Sequence, residues 1–324
     1  MINVLITGAG SCMGQSIYKA LTYSKISESI RVIFTNSDDL GASFYFKERS
    51  GDKNILVPLA NSENYLPTIK SIISNEKIDI IYSGTQHEIF KLSSLKDTFP
   101  NIAVLGRYML DMSLNKYLCS VFLSKHGIAN PNTLMFRDYI NSPFFPAIVK
   151  PNTSSASRSI YRLRNANDLK LALKSITTEH ISDFIAQEYI GGEEYTCGVY
   201  IDKYSKKISN IILKRTLTRE GASGYGEVIQ SETISNYLKL VGEAYLKEGM
   251  SFGHLNVQLR LDGGVPKLFE INSRLSSTEA PKAIFGFNSV EAYLYNICLE
   301  KEYDFCTFDS NYSKFLRYYD EVYY

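Results

Sequence analysis

The stretch HLNVQLRLDGGVPKLFEINSR, residues 254–274, decides how this chain is read. Val257, Leu259 and Leu261 alternate with Asn256, Gln258 and Arg260, the period-two pattern of a half-buried strand. Asp262-Gly263-Gly264 supplies turn chemistry, and Pro266 stands at the edge of a return strand. On that strand Glu270, Asn272 and Arg274 fall at i, i+2 and i+4 and so project to one face, with Phe269 and Ile271 expected on the other. A carboxylate, an amide oxygen and a guanidinium on one sheet face, opposite a glutamine, suit a magnesium-bound polyphosphate. Mg²⁺ takes hard oxygen ligands, and arginine grips phosphoryl oxygens in a fork. By itself an E-x-N-x-R string favours a solvated hairpin, since such triplets are common by chance. The segments that accompany it decide between the two.

The 324 residues hold two or three domains' worth of core, and a 44% hydrophobic content is that of an ordinary globular protein. With 35 basic and 34 acidic residues the net charge is +1, which excludes a global field for nucleic acid or an anionic membrane. The five cysteines (12, 119, 197, 298 and 306) show neither C-x-x-C nor metal spacing and are expected to be reduced thiols of a cytoplasmic protein. No signal peptide and no apolar run of the ~20 residues a membrane span needs are visible.

Residues 2–7 read as a buried strand, followed by a glycine turn, a helix beginning over 16–21 and a second strand at 31–36. Short strands at 55–58 and 79–83 flank a helix at 65–74, which predicts a parallel α/β sheet of about 105 residues. A helix is expected from Leu114 to His126, ended by Gly127. Strands follow at 146–151, 184–190, 194–202 and 210–217, with a helix opened by Asn165 and a glycine-containing loop at 220–226. A helix over 235–248 leads into the hairpin, a last one spans 289–299, and the tail reads as an edge element.

The turn TGAGSCMG (7–14) has the glycines of a dinucleotide turn, but Asn36 and Ser37 stand where the ribose-binding acid belongs. No tyrosine precedes a lysine by four residues, as short-chain dehydrogenase chemistry requires, so these glycines read as a tight strand–helix turn. Lys150 ends a strand and precedes the small-residue run NTSSASRS, a pattern that covers phosphates with backbone N–H groups or simply forms a surface loop. In AQEYIGGEEY (186–195) a strand enters a short hinge with acids just beyond it. Lys116 on its helix has a solvated side chain as its ordinary explanation.

Together and in this order, LNKYLCSVFLSKHGIANP (114–131), PAIVKP (146–151), AQEYIGGEEYTCGVY (186–200) and NVQLRLDGGVPKLFEINSRLSS (256–277) resemble the ATP-grasp superfamily, most closely its carbamoyl-phosphate-synthase-like branch. The resemblance implies an α/β and α+β molecule. Its N-terminal parallel Rossmann-like (pre-ATP-grasp) domain, 1–108, precedes a two-lobed ATP-grasp fold. The small lobe with the phosphate lid would span 109–187 and the large lobe with the metal site 188–324. By position, Lys116 and Lys150 would contact the phosphates of ATP, under a lid containing Ser155, Ser157 and Arg158. Glu188 and Ile190 would frame adenine and Glu194 the ribose. Gln258, Glu270 and Asn272 would hold magnesium, with two ions expected, and Arg274 would stabilise an acyl-phosphate. Lys214 or Arg215 would be a further phosphate ligand. Ser154, Ala156 and Ser159 replace the glycines usual in this lid, which puts its rate in question.

The implied activity is an ATP-dependent, ADP-forming ligation of a small carboxylate to an amine, with Lys150 and Arg274 in catalytic roles. The alternatives are phosphorylation of a small acid in the manner of carbamoyl phosphate synthase, and a nucleotide-binding protein with reduced catalysis. Expected partners are the two small substrates, with no nucleic acid and no membrane. A homodimer through the aromatic tail from Phe315 to Tyr324 is a further expectation. His87 reads as a structural loop residue.

Overall fold

The computed structural model describes residues 1–45, 51–153, 159–176, 178–219, 221–305, 312–318, 321 and 323. The chain opens with β1 (Ile2–Thr7), α1 (Cys12–Thr22), β2 (Ile30–Asn36), β3 (Lys53–Leu56), α2 (Tyr65–Asn75), β4 (Ile80–Ser83) and α3 (Gln86–Ser93). The four strands form a parallel sheet in the order β3-β2-β1-β4. Val4, Leu5 and Ile6 are fully buried, as expected of a parallel strand covered on both faces. The glycine turn is structural. Ser11 caps α1 by accepting from the Gly14 N–H at 3.0 Å, and the Gly10 N–H is taken by Asn36 Oδ1 at 2.7 Å.

Between α4 (Arg107–Leu114) and α5 (Lys116–Lys125) the chain breaks at Asn115, whose side chain accepts from the Leu118 N–H at 2.9 Å. The single helix expected from Leu114 is therefore two. Lys116 begins the second, and an asparagine between two apolar runs supplied the cap. A small antiparallel sheet follows, built from β5 (Thr133–Met135), β6 (Ala147–Pro151), β7 (Tyr161–Leu163) and β8 (Phe184–Glu188) in the order β5-β8-β6-β7, with α6 (Phe136–Tyr139) and α7 (Ala166–Ser175). Its core, around Phe136, Tyr139 and Val149, is separate from the rest.

The large sheet comprises β9 (Glu194–Ile201), β10 (Ile208–Leu217), β11 (Ser223–Val228), β12 (Gly253–Asp262), β13 (Val265–Asn272) and β14 (Lys314–Leu316), ordered β13-β12-β9-β10-β11-β14. Packed with it are α8 (Glu232–Lys247), α9 (Glu279–Ile284) and α10 (Ser289–Ile297). Its buried residues are continuous with those of the first sheet, so these two layers share one core. The loop expected at 220–226 is largely strand β11. Its two glycines hid the alternation, and a side chain at Gly226 would collide with the Phe315 ring. The tail forms the edge strand as expected, with Phe315 half-buried and Leu316, Tyr318 and Tyr323 exposed.

Among the described residues no helix is long and apolar enough to cross a membrane, and Cys12, Cys119, Cys197 and Cys298 carry no disulfide. Cys306 lies outside the described residues.

Candidate active site

Side chains directly opposite on antiparallel strands share a face, so the register of the large sheet lays out rows of polar groups. One row runs Arg215, Glu194, Arg260, Lys267 across β10, β9, β12 and β13. The next runs Leu213, Thr196, Gln258, Glu270, and the third Ile211, Gly198, Asn256, Asn272. The hairpin expectation holds for Gln258, Glu270 and Asn272, which meet on one face, with Asn272 Nδ2 donating to Glu270 Oε1 at 3.1 Å. The strand ends at Asn272. Arg274 lies beyond it but still reaches the same cavity wall.

The face forms one side of a cavity of about 410 Å³ between the small and large lobes. Lys116, Lys150, Glu188, Ile190, Glu194, Arg215, Gln258, Glu270, Asn272 and Arg274 all line it. Residues more than 150 positions apart in the sequence are thus brought together. Ser155, Ser157 and Arg158, with Ser154 and Ala156, lie outside the described residues. Ser159 is described and sits at φ 58°, a left-handed conformation where a glycine would be unstrained.

The structure overturns the expected orientation of Phe269. Gln258 pairs with Glu270 but Leu259 pairs with Leu268, so Phe269 is an extra residue in a β-bulge. The bulge brings Phe269 to the cavity wall, where the Lys150 ammonium stands 5.4 Å from the ring centre. The Lys150 ammonium makes no hydrogen bond among the described residues. Burial pushes it down to about 8, with Lys116 pushing the same way and Glu270 opposing. Lys116 is 7% exposed rather than solvated, and its Nζ lies 3.5 Å from the Asn152 carbonyl.

Of the alternatives Lys214 and Arg215, alternation along β10 selects one. Arg215 faces the cavity and bonds Glu194, Gln258 Oε1 at 2.9 Å and Ser223 at 3.3 Å, whereas Lys214 turns outward to Glu193. Glu194 also accepts from Arg260 at 2.8 Å. Burial opposes its ionisation, but the two guanidiniums outweigh that and hold it below the usual carboxylate range. Arg260 and Lys267 were not singled out in the sequence. Only the strand register shows that Arg260 reaches Glu194 and that Lys267 reaches Glu188 at 3.2 Å, tying the end of β8 to the large lobe. Arg274 donates from Nε to Gln86 of the first domain and from Nη1 to the Leu275 carbonyl at 3.1 Å. His87 lies in the first turn of α3, not in a loop, and lines a different crevice.

The donor set fits magnesium in one way. Gln258, Glu270 and Asn272 offer hard oxygens but a single negative charge, and no acidic or histidine cluster exists among the described residues. Such a set holds Mg²⁺ when phosphate oxygens complete the shell.

Residues 4–105 match the family described as PylC-like, N-terminal domain, and residues 143–274 match the family described as ATP-grasp domain. The D-alanine–D-alanine ligase of Azobacteroides pseudotrichonymphae is 29% identical over 135 residues, which cover 38% of this chain and 41% of that protein. That of Bacillus anthracis is 23% identical over 257 residues, 68% of this chain and 81% of that one. In the solved structures, an L-amino acid ligase from Bacillus licheniformis superposes with a TM-score of 0.70 at 17% identity, over 92% of this chain and 74% of the other. A biotin carboxylase from Campylobacter jejuni reaches 0.73 at 15% identity, over 95% and 72%. The chain thus carries an ATP-grasp domain over residues 143–274, behind a PylC-like N-terminal domain over residues 4–105.

Proposed function

We propose that this ATP-grasp chain is an ATP-dependent, ADP-forming ligase that activates a small carboxylate as an acyl-phosphate and passes it to an amine. The observation that carries the reading is the convergence of Lys116 and Lys150 with Gln258, Glu270, Asn272 and Arg274 on one cavity. When bound, magnesium and ATP supply the electrophilic phosphoryl group and part of its charge neutralisation. The residues do the rest. Lys116 and Lys150 present cations to phosphate from the small-lobe side. Gln258, Glu270 and Asn272 offer oxygens to magnesium, with two ions in our reading. Glu188 and Ile190 frame the base, and Glu194 sits at the ribose. Arg274, fixed by Gln86, offers a guanidinium to the acyl-phosphate, and no protein nucleophile is required.

Amino acids are the substrate class we favour for the acid, the amine or both, because two of the proteins that match the chain over most of its length, a D-alanine–D-alanine ligase and an L-amino acid ligase, are named for joining them. The carbamoyl-phosphate-synthase-like branch is supported by the Gln258…Glu270-x-Asn272-x-Arg274 pattern alone, so phosphorylation of a small acid ranks second. A screen of acids against amines, read by phosphate release, tests the reading. It predicts Mg²⁺-dependent ADP and phosphate for particular pairs, with loss in Glu270→Ala. AMP as product would remove the acyl-phosphate route, and tight ATP binding without turnover would favour a nucleotide-binding role.

A further inference from the structure

Beside the cavity, on the same face of the large sheet, lies an ion pair that the proposed chemistry does not use. Lys282 and Glu279, both on α9, are 0% and 1% exposed. The Lys282 ammonium donates to Glu279 Oε1 at 3.1 Å, Ser276 Oγ at 3.2 Å and Asn256 Oδ1 at 3.3 Å, using its full set of protons. Asn256 and Ser276 line the cavity. Stability alone is a weak account of this arrangement, since desolvating such a pair costs about as much as its attraction returns. The network also leaves Glu279 Oε2 and His254 Nε2 without hydrogen-bond partners among the described residues. His254 is itself fully buried and pushed down to about 3 by burial, so it is neutral and does not balance Glu279.

The consequence falls on Asn256. A lysine is only ever a donor, so the Asn256 atom facing it is the amide oxygen, and the Thr196 hydroxyl donates to that same oxygen at 3.2 Å. With its oxygen held by two donors, the amide is locked and its NH₂ is left for the cavity, beside Asn272, with which it pairs across the strands.

We propose that Lys282 is a positioning residue of this site: it fixes Asn256 so that the Asn256 NH₂ donates to the terminal phosphoryl group of bound ATP. This rests on the cavity being the nucleotide site, but not on which acid or amine is used. Neutral donors held rigidly at a point of high negative charge need no reorganisation when phosphate arrives. Lys282 contributes no contact of its own.

The test is calorimetric titration of the full chain with Mg-ATP and, separately, Mg-ADP, since ADP lacks the terminal phosphoryl. Lys282→Met should weaken ATP roughly tenfold or more, the value of a hydrogen bond to a charged group, and leave ADP within about twofold. Lys282→Met with Glu279→Gln removes both charges and should show the same selectivity if the single variant folds poorly. Asn256→Ala, which keeps the ion pair, should lose the same ATP preference, and adding Lys282→Met to it should cost little more. Equal weakening of ATP and ADP, no change in either, or additive losses in the combined variant would overturn the proposal. A wild-type chain that binds neither nucleotide would instead remove the nucleotide reading and this proposal with it. ATP binding without turnover leaves the comparison intact.

Discussion

The ammonium of Lys150 stands 5.4 Å from the centre of the Phe269 ring, a contact created by a single extra residue in β13. The ring takes the place of a hydrogen-bond partner. It keeps a buried cation in position without neutralising it, so the charge is available to an incoming phosphate. Burial moves the lysine down to about 8, which gives the first prediction its direction. Below that value the ammonium is present to meet phosphate, and above it the amine is neutral. ATP affinity should fall roughly tenfold between pH 7 and pH 9, and the fall should vanish in Lys150→Met, as measured by calorimetry at each pH. The free protein behaves oppositely. The unfolded lysine binds its proton more tightly, so this group adds stability as pH rises from about 8 towards the ordinary lysine value.

Magnesium should not bind the free chain. One carboxylate and two amides make a weak site until phosphate oxygens join it. Titration of Mg²⁺ without nucleotide should give no measurable heat, whereas ATP titrated with and without Mg²⁺ should differ strongly. Glu270→Ala should abolish that difference and reduce turnover by at least about a hundredfold.

Glu194 separates two guanidiniums. Its replacement by alanine leaves Arg215 and Arg260 as like charges without their shared anion, and the first also bonds Gln258. Glu194→Ala should cost about 3–5 kcal/mol of folding stability, the price of breaking a largely buried pair, and weaken ATP. Arg260→Met, which leaves Glu194 paired to Arg215, should cost less on both counts. Chemical denaturation of the two variants side by side decides the order.

Gln86 holds Arg274 from the first domain, outside the nucleotide-binding lobes. Gln86→Ala should lower kcat about tenfold and leave the KM for ATP near its wild-type value, because only the orientation of the acyl-phosphate contact is released. A rise in KM for ATP without loss of kcat would remove Arg274 from that role.

Gly84 tests the turn at the end of β1. A methyl group there would press on the carbonyl oxygens of Thr7 and Gly8, which are backbone and cannot step aside. Gly84→Ala should destabilise the chain by about 1–3 kcal/mol in thermal melts, with no change in the stoichiometry of ATP binding.

Much of the site was legible in the chain itself. Alternation placed Gln258, Glu270 and Asn272 on one face, since a strand's two-residue period is a local property. The same rule puts Arg215 and Lys214 on opposite faces, and the structure shows that Arg215 is the one facing the cavity. It failed at Phe269, because a bulge depends on how two strands pair and leaves no mark in the period of either. It failed again at β11, where Gly224 and Gly226 provide no side chains from which to read a pattern. Lys116 looked like a solvated helical lysine because sequence does not show what packs over a residue.

The sequence by itself determined the parallel first sheet and the polar strand face, which follow from short-range patterning, and the two lobes, which follow from motifs in series. Only the tertiary structure decided which groups meet. The row Arg215, Glu194, Arg260 depends on the register of three strands drawn from positions 194 to 262, and the hold of Lys282 on Asn256 depends on α9 folding back over β12. The physical reason is that burial and strand register are settled by contacts between distant segments. The charge, partners and orientation of a side chain follow from those contacts.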